Sequence, residues 1–121
     1  MKKKLIIKIG TSTLTAGTNR ISFAVIESLA RQIVELKKEF DIVIVSSGAI
    51  ATARQFVEIN GYHRNVDSKQ AMAAIGQTKL MGLYDGIFRT FGLNIAQILL
   101  TYRDFENETA NENTRNTINK L

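Results

Sequence analysis

The run Leu5-Ile6-Ile7-Lys8-Ile9-Gly10-Thr11-Ser12-Thr13 sets a lysine inside the most hydrophobic segment of the chain and a glycine two residues after it. A strand buried on both faces reads as unbroken Val, Ile and Leu. An ammonium in such a strand calls for a partner, because an unpaired buried charge is very costly to desolvate. Gly10 allows a sharp turn and a close backbone approach beyond the strand end. Thr11, Ser12 and Thr13 add hydroxyls and backbone N–H groups. A cation beside a small, donor-rich turn is a place for an anion, and phosphate is the first candidate. The competing reading of Lys8 is a lysine snorkelling at a sheet edge.

The surrounding composition narrows the class. One domain at most fits in 121 residues. Zero cysteines exclude disulfides and thiolate chemistry and fit a cytoplasmic, reducing setting. His63 is the single histidine, so any His-based metal site or nucleophilic triad has to be built around it. The net charge is +5, from 16 basic against 11 acidic side chains. Lys2, Lys3 and Lys4 lead straight into the first apolar run, which is too short for a signal-peptide core. No stretch approaches the roughly 20 apolar residues of a membrane span. The basic excess is dispersed and lacks the aromatic-interleaved stripe of a nucleic-acid binder. Small anionic substrates account for it, with neither membrane nor nucleic acid expected as a partner.

Outward from the opening run, short apolar stretches alternate with longer helical ones. Residues 21–40 carry Ile26, Leu29, Ile33, Leu36 and Phe40 at steps of one helix face, with Ser22 as N-cap. Asp41-Ile42-Val43-Ile44-Val45 is a β-branched second strand, broken by Ser46-Ser47-Gly48-Ala49. Residues 50–59 read as a helix closed by Asn60-Gly61. Asp67 and Gln70 resemble a capping box opening a further helix. That helix has a broad stripe including Met72, Ile75, Leu80, Leu83, Tyr84, Ile87, Phe88 and Phe91, and Gly76 within it reads as a small residue permitting close packing. Gly92 ends it, residues 93–100 read as a third strand, and residues 108–121 as a polar helix. Strand–helix alternation predicts right-handed βαβ units, a mostly parallel sheet and helices on both faces. In such sheets ligands sit at the carboxyl ends of the strands. The two turns, Gly10-Thr11-Ser12 and Ser46-Ser47-Gly48-Ala49, converge there.

Other candidates are weaker. Ser47 is either a hydrogen-bonding group beside anion-binding N–H groups or an ordinary serine N-cap. No glycine stands two residues before Ser47, so it is not a nucleophile elbow. No G-K-[ST] triplet occurs, so neither turn is a P-loop. Asp104, Glu106 and Glu108 read as caps and dipole partners rather than metal ligands. Lys69, Lys79 and His63 read as solvated residues, and no protein metal site is expected.

Taken together, Ile7-Lys8-Ile9-Gly10-Thr11-Ser12 and Ile44-Val45-Ser46-Ser47-Gly48-Ala49-Ile50-Ala51 resemble the amino acid kinase family. The segments Ser68-Lys69-Gln70-Ala71-Met72-Ala73-Ala74-Ile75-Gly76-Gln77 and Gln97-Ile98-Leu99-Leu100-Thr101 extend the resemblance over essentially the whole chain. The resemblance implies an α/β fold, an αβα sandwich with a mostly parallel sheet, incomplete in this chain. Residues 1–121 would form the amino-terminal, substrate-binding part of a single amino acid kinase domain, inactive alone. It further implies a cytoplasmic, homo-oligomeric enzyme that phosphorylates the side-chain carboxylate of L-glutamate with ATP and Mg²⁺, on the route to proline. By the same resemblance Lys8 contacts the transferring phosphoryl group, Gly10, Thr11 and Ser12 line the phosphate site, and Ser47, Gly48 and Ala49 contact glutamate. Where the family has Asn-Ala-Arg-Asp-Thr, this chain reads Asn113-Thr114-Arg115-Asn116-Thr117. The alternatives are a kinase of N-acetylglutamate or aspartate, whose glycine-rich pair after the first strand fits Gly10-Thr11-Ser12-Thr13 less well, and a non-catalytic, flavodoxin-like anion-binding module.

Overall fold

A computed structural model describes residues 2–56 and 66–121. Strand β1, Lys3–Ile9, pairs in parallel with β2, Phe40–Ser46, in the register Ile7↔Ile44, Lys8↔Val45 and Ile9↔Ser46. The crossover between them is α1, Thr11–Leu14, followed by α2, Phe23–Leu36. After β2 come α3, Ala49–Phe56, and the long α4, Val66–Thr90. Helices α5, Tyr102–Glu106, and α6, Glu108–Lys120, close the chain. Both α5 and α6 bury no side chain, which suits their polar sequences.

The core follows from periodicity. Leu5, Ile7 and Ile9 alternate with exposed Lys4, Ile6 and Lys8, so β1 turns one face inward. Ile7 and Ile9, with Ile42 and Ile44 of β2, pack with Ile26, Ala30 and Ile33 of α2 and Leu80, Tyr84 and Phe88 of α4. Fully burying a Leu or Ile contributes about 1.5–3 kcal/mol, and Leu14 and Ile26 reach 0 % exposure. Leu14 thus ties the turn after β1 into the same core. Ser22 caps α2 as expected, accepting from the Val25 N–H at 3.2 Å.

Several expectations change. Residues 93–100 form no ladder, and among the described residues the sheet has two strands. A strand exists only through its neighbour's hydrogen bonds, and these residues pair with none. Their start is nevertheless fixed: Gly92 at φ +73 donates to the Arg89 carbonyl at 3.0 Å, and Leu93 to that of Phe88 at 3.1 Å, a Schellman closure of α4. Helix α2 stops at Leu36, and Phe40 opens β2 opposite Lys3 instead of extending the helix. The segment after Gly10, read as a small, donor-rich turn, contains one α-helical turn, α1.

Lys8 is not buried. Among the described residues, helices pack on one face of this sheet, leaving Ile6 67 % and Val45 52 % exposed on the other, where Lys8 also lies. Its ammonium is solvated there and demands no buried partner. Helix α4 begins at Val66, which puts Asp67 inside the first turn and not at the cap. The Asn60-Gly61 closure and His63 fall outside the described residues.

Candidate functional site

Parallel pairing places the carboxyl ends of β1 and β2 side by side, and a backbone bond joins the turns that follow. Ser47 N–H donates to the Ile9 carbonyl at 2.8 Å, extending the ladder past the last strand pair. Gly10 and Ser47 are therefore adjacent across the sheet. Lys8 stands opposite Val45, on the open face of the same rim.

Beyond β1, Gly10 is the N-cap of α1, with φ −81 and ψ 162. Any residue adopts this conformation, so the glycine is not there for a sharp turn. Nothing lies within 4 Å of where its Cβ would project, so the surface over Gly10 is open. The N–H groups of Thr11, Ser12 and Thr13 open the helix and have no intrahelical acceptor. The side chains of Thr11 and Ser12 are exposed.

Beyond β2, Gly48 does require its identity. It sits at φ +110, and a Cβ would come 2.8 Å from Leu14 Cδ1, so the second turn rests directly on the helix of the first. Its carbonyl accepts from the Thr52 N–H at 2.9 Å and from the Thr52 hydroxyl at 2.7 Å. Thr52 is 0 % exposed and its hydroxyl is satisfied by that bond. Ser47 is exposed, Gly48 buried and Ala49 half-buried at the start of α3.

Helix α4 holds this turn from below. Gly76 lies so close to α3 that a Cβ there would fall 1.7 Å from the Ala49 carbonyl oxygen. The close-packing role read from sequence is thus observed. Two turns further on, the Tyr84 hydroxyl meets Ser46 Oγ at 2.8 Å, and Ser46 Oγ donates to the Ser47 carbonyl at 2.8 Å. Burial pushes the Tyr84 phenol above its ordinary 10.0, and the Ser46 hydrogen bond pulls the other way. Sequence reading took Tyr84 only as part of the apolar stripe. The available signal was its type, since a buried tyrosine hydroxyl usually finds a hydrogen-bond partner.

Beside the turns, a groove of about 540 Å³ runs between residues 11–20 and α3, lined by Thr11, Thr15, Arg20, Arg54 and Gln55. Gln55 Oε1 accepts from the Ile21 N–H at 2.7 Å and ties α3 to the segment before α2. A second depression, lined by Phe105, Glu106, Glu112 and Arg115 among others, shares no residue with either turn. Asp104 is the N3 partner of the Thr101 N-cap: its carboxylate accepts from the Thr101 N–H at 2.6 Å and hydroxyl at 3.0 Å. Those bonds, the backbone one foremost, hold its carboxyl below the usual range. Among the described residues no group of three or more His, Cys, Asp or Glu could hold a metal, and no helix is long and apolar enough to cross a membrane.

Two donor-rich turns are thus stitched together at the carboxyl edge of a parallel sheet, with a lysine one residue inside it. Residues 3–121 match the amino acid kinase family, and the chain belongs to it. Among its relatives is a glutamate 5-kinase of Dehalococcoides mccartyi (strain CBDB1), 45% identical over 96% of this chain and 31% of that enzyme. Others are glutamate 5-kinases of Vibrio vulnificus (strain YJ016) and Geobacter sulfurreducens, each 42% identical over 98% of this chain and 32% of their own length. The chain therefore spans about a third of the length of these relatives.

Proposed function

We propose that the full-length protein containing this chain transfers the γ-phosphoryl group of ATP to the side-chain carboxylate of L-glutamate, giving L-glutamyl 5-phosphate and ADP. This is a step toward proline, carried out in the cytoplasm by a homo-oligomer. The observation that carries the reading is the 2.8 Å bond from Ser47 N–H to the Ile9 carbonyl, which sets the two turns against one another. Similarity to enzymes named glutamate 5-kinase over nearly the whole chain supports glutamate as the substrate.

Phosphoryl transfer demands positioning and charge neutralisation more than covalent chemistry from the protein. A glutamate γ-carboxylate oxygen attacks the terminal phosphorus in line, forming a C–O–P link while the bond to the β,γ-bridging oxygen breaks and ADP leaves. The N–H groups of Thr11 and Ser12 and the open backbone at Gly10 cradle phosphate oxygens, and the Lys8 ammonium draws on the transferring group. The Ser47 hydroxyl and the N–H groups of Gly48 and Ala49 orient the glutamate. Mg²⁺ bound with the nucleotide would offset its charge, and the described residues offer no carboxylate cluster to hold it.

Lys8→Met in the full-length protein tests this. Glutamate-dependent ADP formation is expected to fall by about two orders of magnitude or more, with circular dichroism unchanged. Turnover close to that of the parent protein overturns the role given to Lys8, and a parent protein with no glutamate-dependent ADP formation leaves the non-catalytic anion-binding module.

A further inference from the structure

The Ser46 hydroxyl carries one hydrogen, and that hydrogen is directed at the Ser47 carbonyl, 2.8 Å away. The 2.8 Å contact between Ser46 Oγ and Tyr84 must then be donated by the phenol. The result is a directed relay: Tyr84 O–H to Ser46 Oγ, Ser46 O–H to the oxygen of the Ser47–Gly48 peptide.

In a trans peptide the C=O and N–H point in opposite directions. Holding the Ser47 oxygen toward Ser46 therefore aims the Gly48 N–H the other way. The residue after this peptide is a glycine at φ +110. Glycine occupies positive and negative φ about equally well, so the peptide before it is unusually free to turn over. Gly48 is needed for its fit against Leu14, and that same choice removes the backbone's own resistance to a flip. The relay replaces that resistance. It starts from a side chain only 4 % exposed on a helix that also meets Ala49 at Gly76, so the anchor is rigid. Gly76 and Tyr84 stand about 12 Å apart along α4 at 1.5 Å per residue, and they meet the turn on its α3 and β2 sides respectively.

We propose that Tyr84 is a positioning residue which, through Ser46, locks the Ser47–Gly48 peptide in the orientation that presents the Gly48 N–H to the bound carboxylate substrate. This rests on the assignment of the second turn to glutamate.

The test uses the full-length protein with Tyr84→Phe, Ser46→Ala, the double variant and Ser46→Thr. Tyr84→Phe keeps the ring in the core and removes only the donor. The KM for glutamate is expected to rise about 3- to 10-fold, the scale of one hydrogen bond, while the KM for ATP stays within about twofold. The double variant should match either single one, because both break the same relay, and Ser46→Thr should restore the parent KM. In parallel, amide hydrogen exchange at Gly48 and Ala49 should speed up in Tyr84→Phe. A lowered melting temperature with unchanged glutamate KM and unchanged exchange overturns the proposal. Faster exchange in a protein whose parent shows no glutamate-dependent turnover upholds the lock and removes the substrate assignment instead.

Discussion

At the scale of single residues, Tyr84 is a phenol kept neutral by its surroundings. Burial raises the Tyr84 phenol above 10.0 and outweighs the opposing pull of Ser46. An acid whose folded-state pKa is raised contributes stability that is complete below its unfolded value and is lost as pH climbs through the folded one. The window therefore opens at pH 10.0 and extends upward. The difference in stability between the parent protein and Tyr84→Phe should be constant from neutral pH to about 10 and then shift against the parent as pH rises further. Denaturant titrations at a series of alkaline pH values measure this, and the variant serves to subtract the common titration of lysines. A difference that stays flat past that point would mean the phenol is not desolvated.

At the scale of elements, the contact between α3 and α4 decides where the second turn sits, and two glycines of α4 separate the forces involved. Replacing a helical glycine by alanine gains about 1 kcal/mol of helix propensity. At Gly82 a Cβ meets nothing within 4 Å, so Gly82→Ala should stabilise by about 0.5–1 kcal/mol. At Gly76 the same methyl meets the Ala49 carbonyl at 1.7 Å and the Ala53 nitrogen at 3.0 Å. These are backbone atoms that cannot swing aside, so the overpacking cost lies at or above the upper end of the usual range, about 3 kcal/mol. Clash outweighs propensity there. Urea midpoints should move in opposite directions for the two variants, and equal shifts would contradict the packing described here. The role of Gly76 was legible because a glycine inside a strong apolar stripe has few explanations. Helix α1 was not legible, since Thr11-Ser12-Thr13 favours helix weakly and the turn forms because Leu14 buries completely. Residues 93–100 carried a convincing strand pattern, yet strand formation is a property of pairs and a single segment cannot announce its partner. The exposure of Lys8 was hidden for a related reason, as alternation along β1 reveals two faces but not which of them is covered.

At the scale of the whole molecule, the packing among the described residues is one-sided. The inner face of the sheet is closed by α2 and α4, while the outer face shows Ile6 and Val45 flanking Lys8, and Leu99, Tyr102 and Phe105 are 76 %, 85 % and 68 % exposed. A two-stranded parallel sheet also leaves each strand with an unpaired edge, and open edges beside apolar surface template association. The five lysines and arginines in excess of acids oppose this by repulsion, but salt screens that term over about 8 Å at physiological ionic strength. Apolar attraction is unaffected by such screening and should win as salt is raised. The chain of residues 1–121 on its own is therefore expected to bind an apolar-surface dye such as ANS and to elute as species larger than a monomer, more so at higher salt. Changing Ile6 and Val45 together to lysine puts charge on the centre of the open face without touching the packed one. That variant should bind less dye and shift toward the monomer by light scattering, with helix content unchanged. Equal dye binding and equal size in the two proteins would place the association elsewhere, on the surface formed by Leu99, Tyr102 and Phe105.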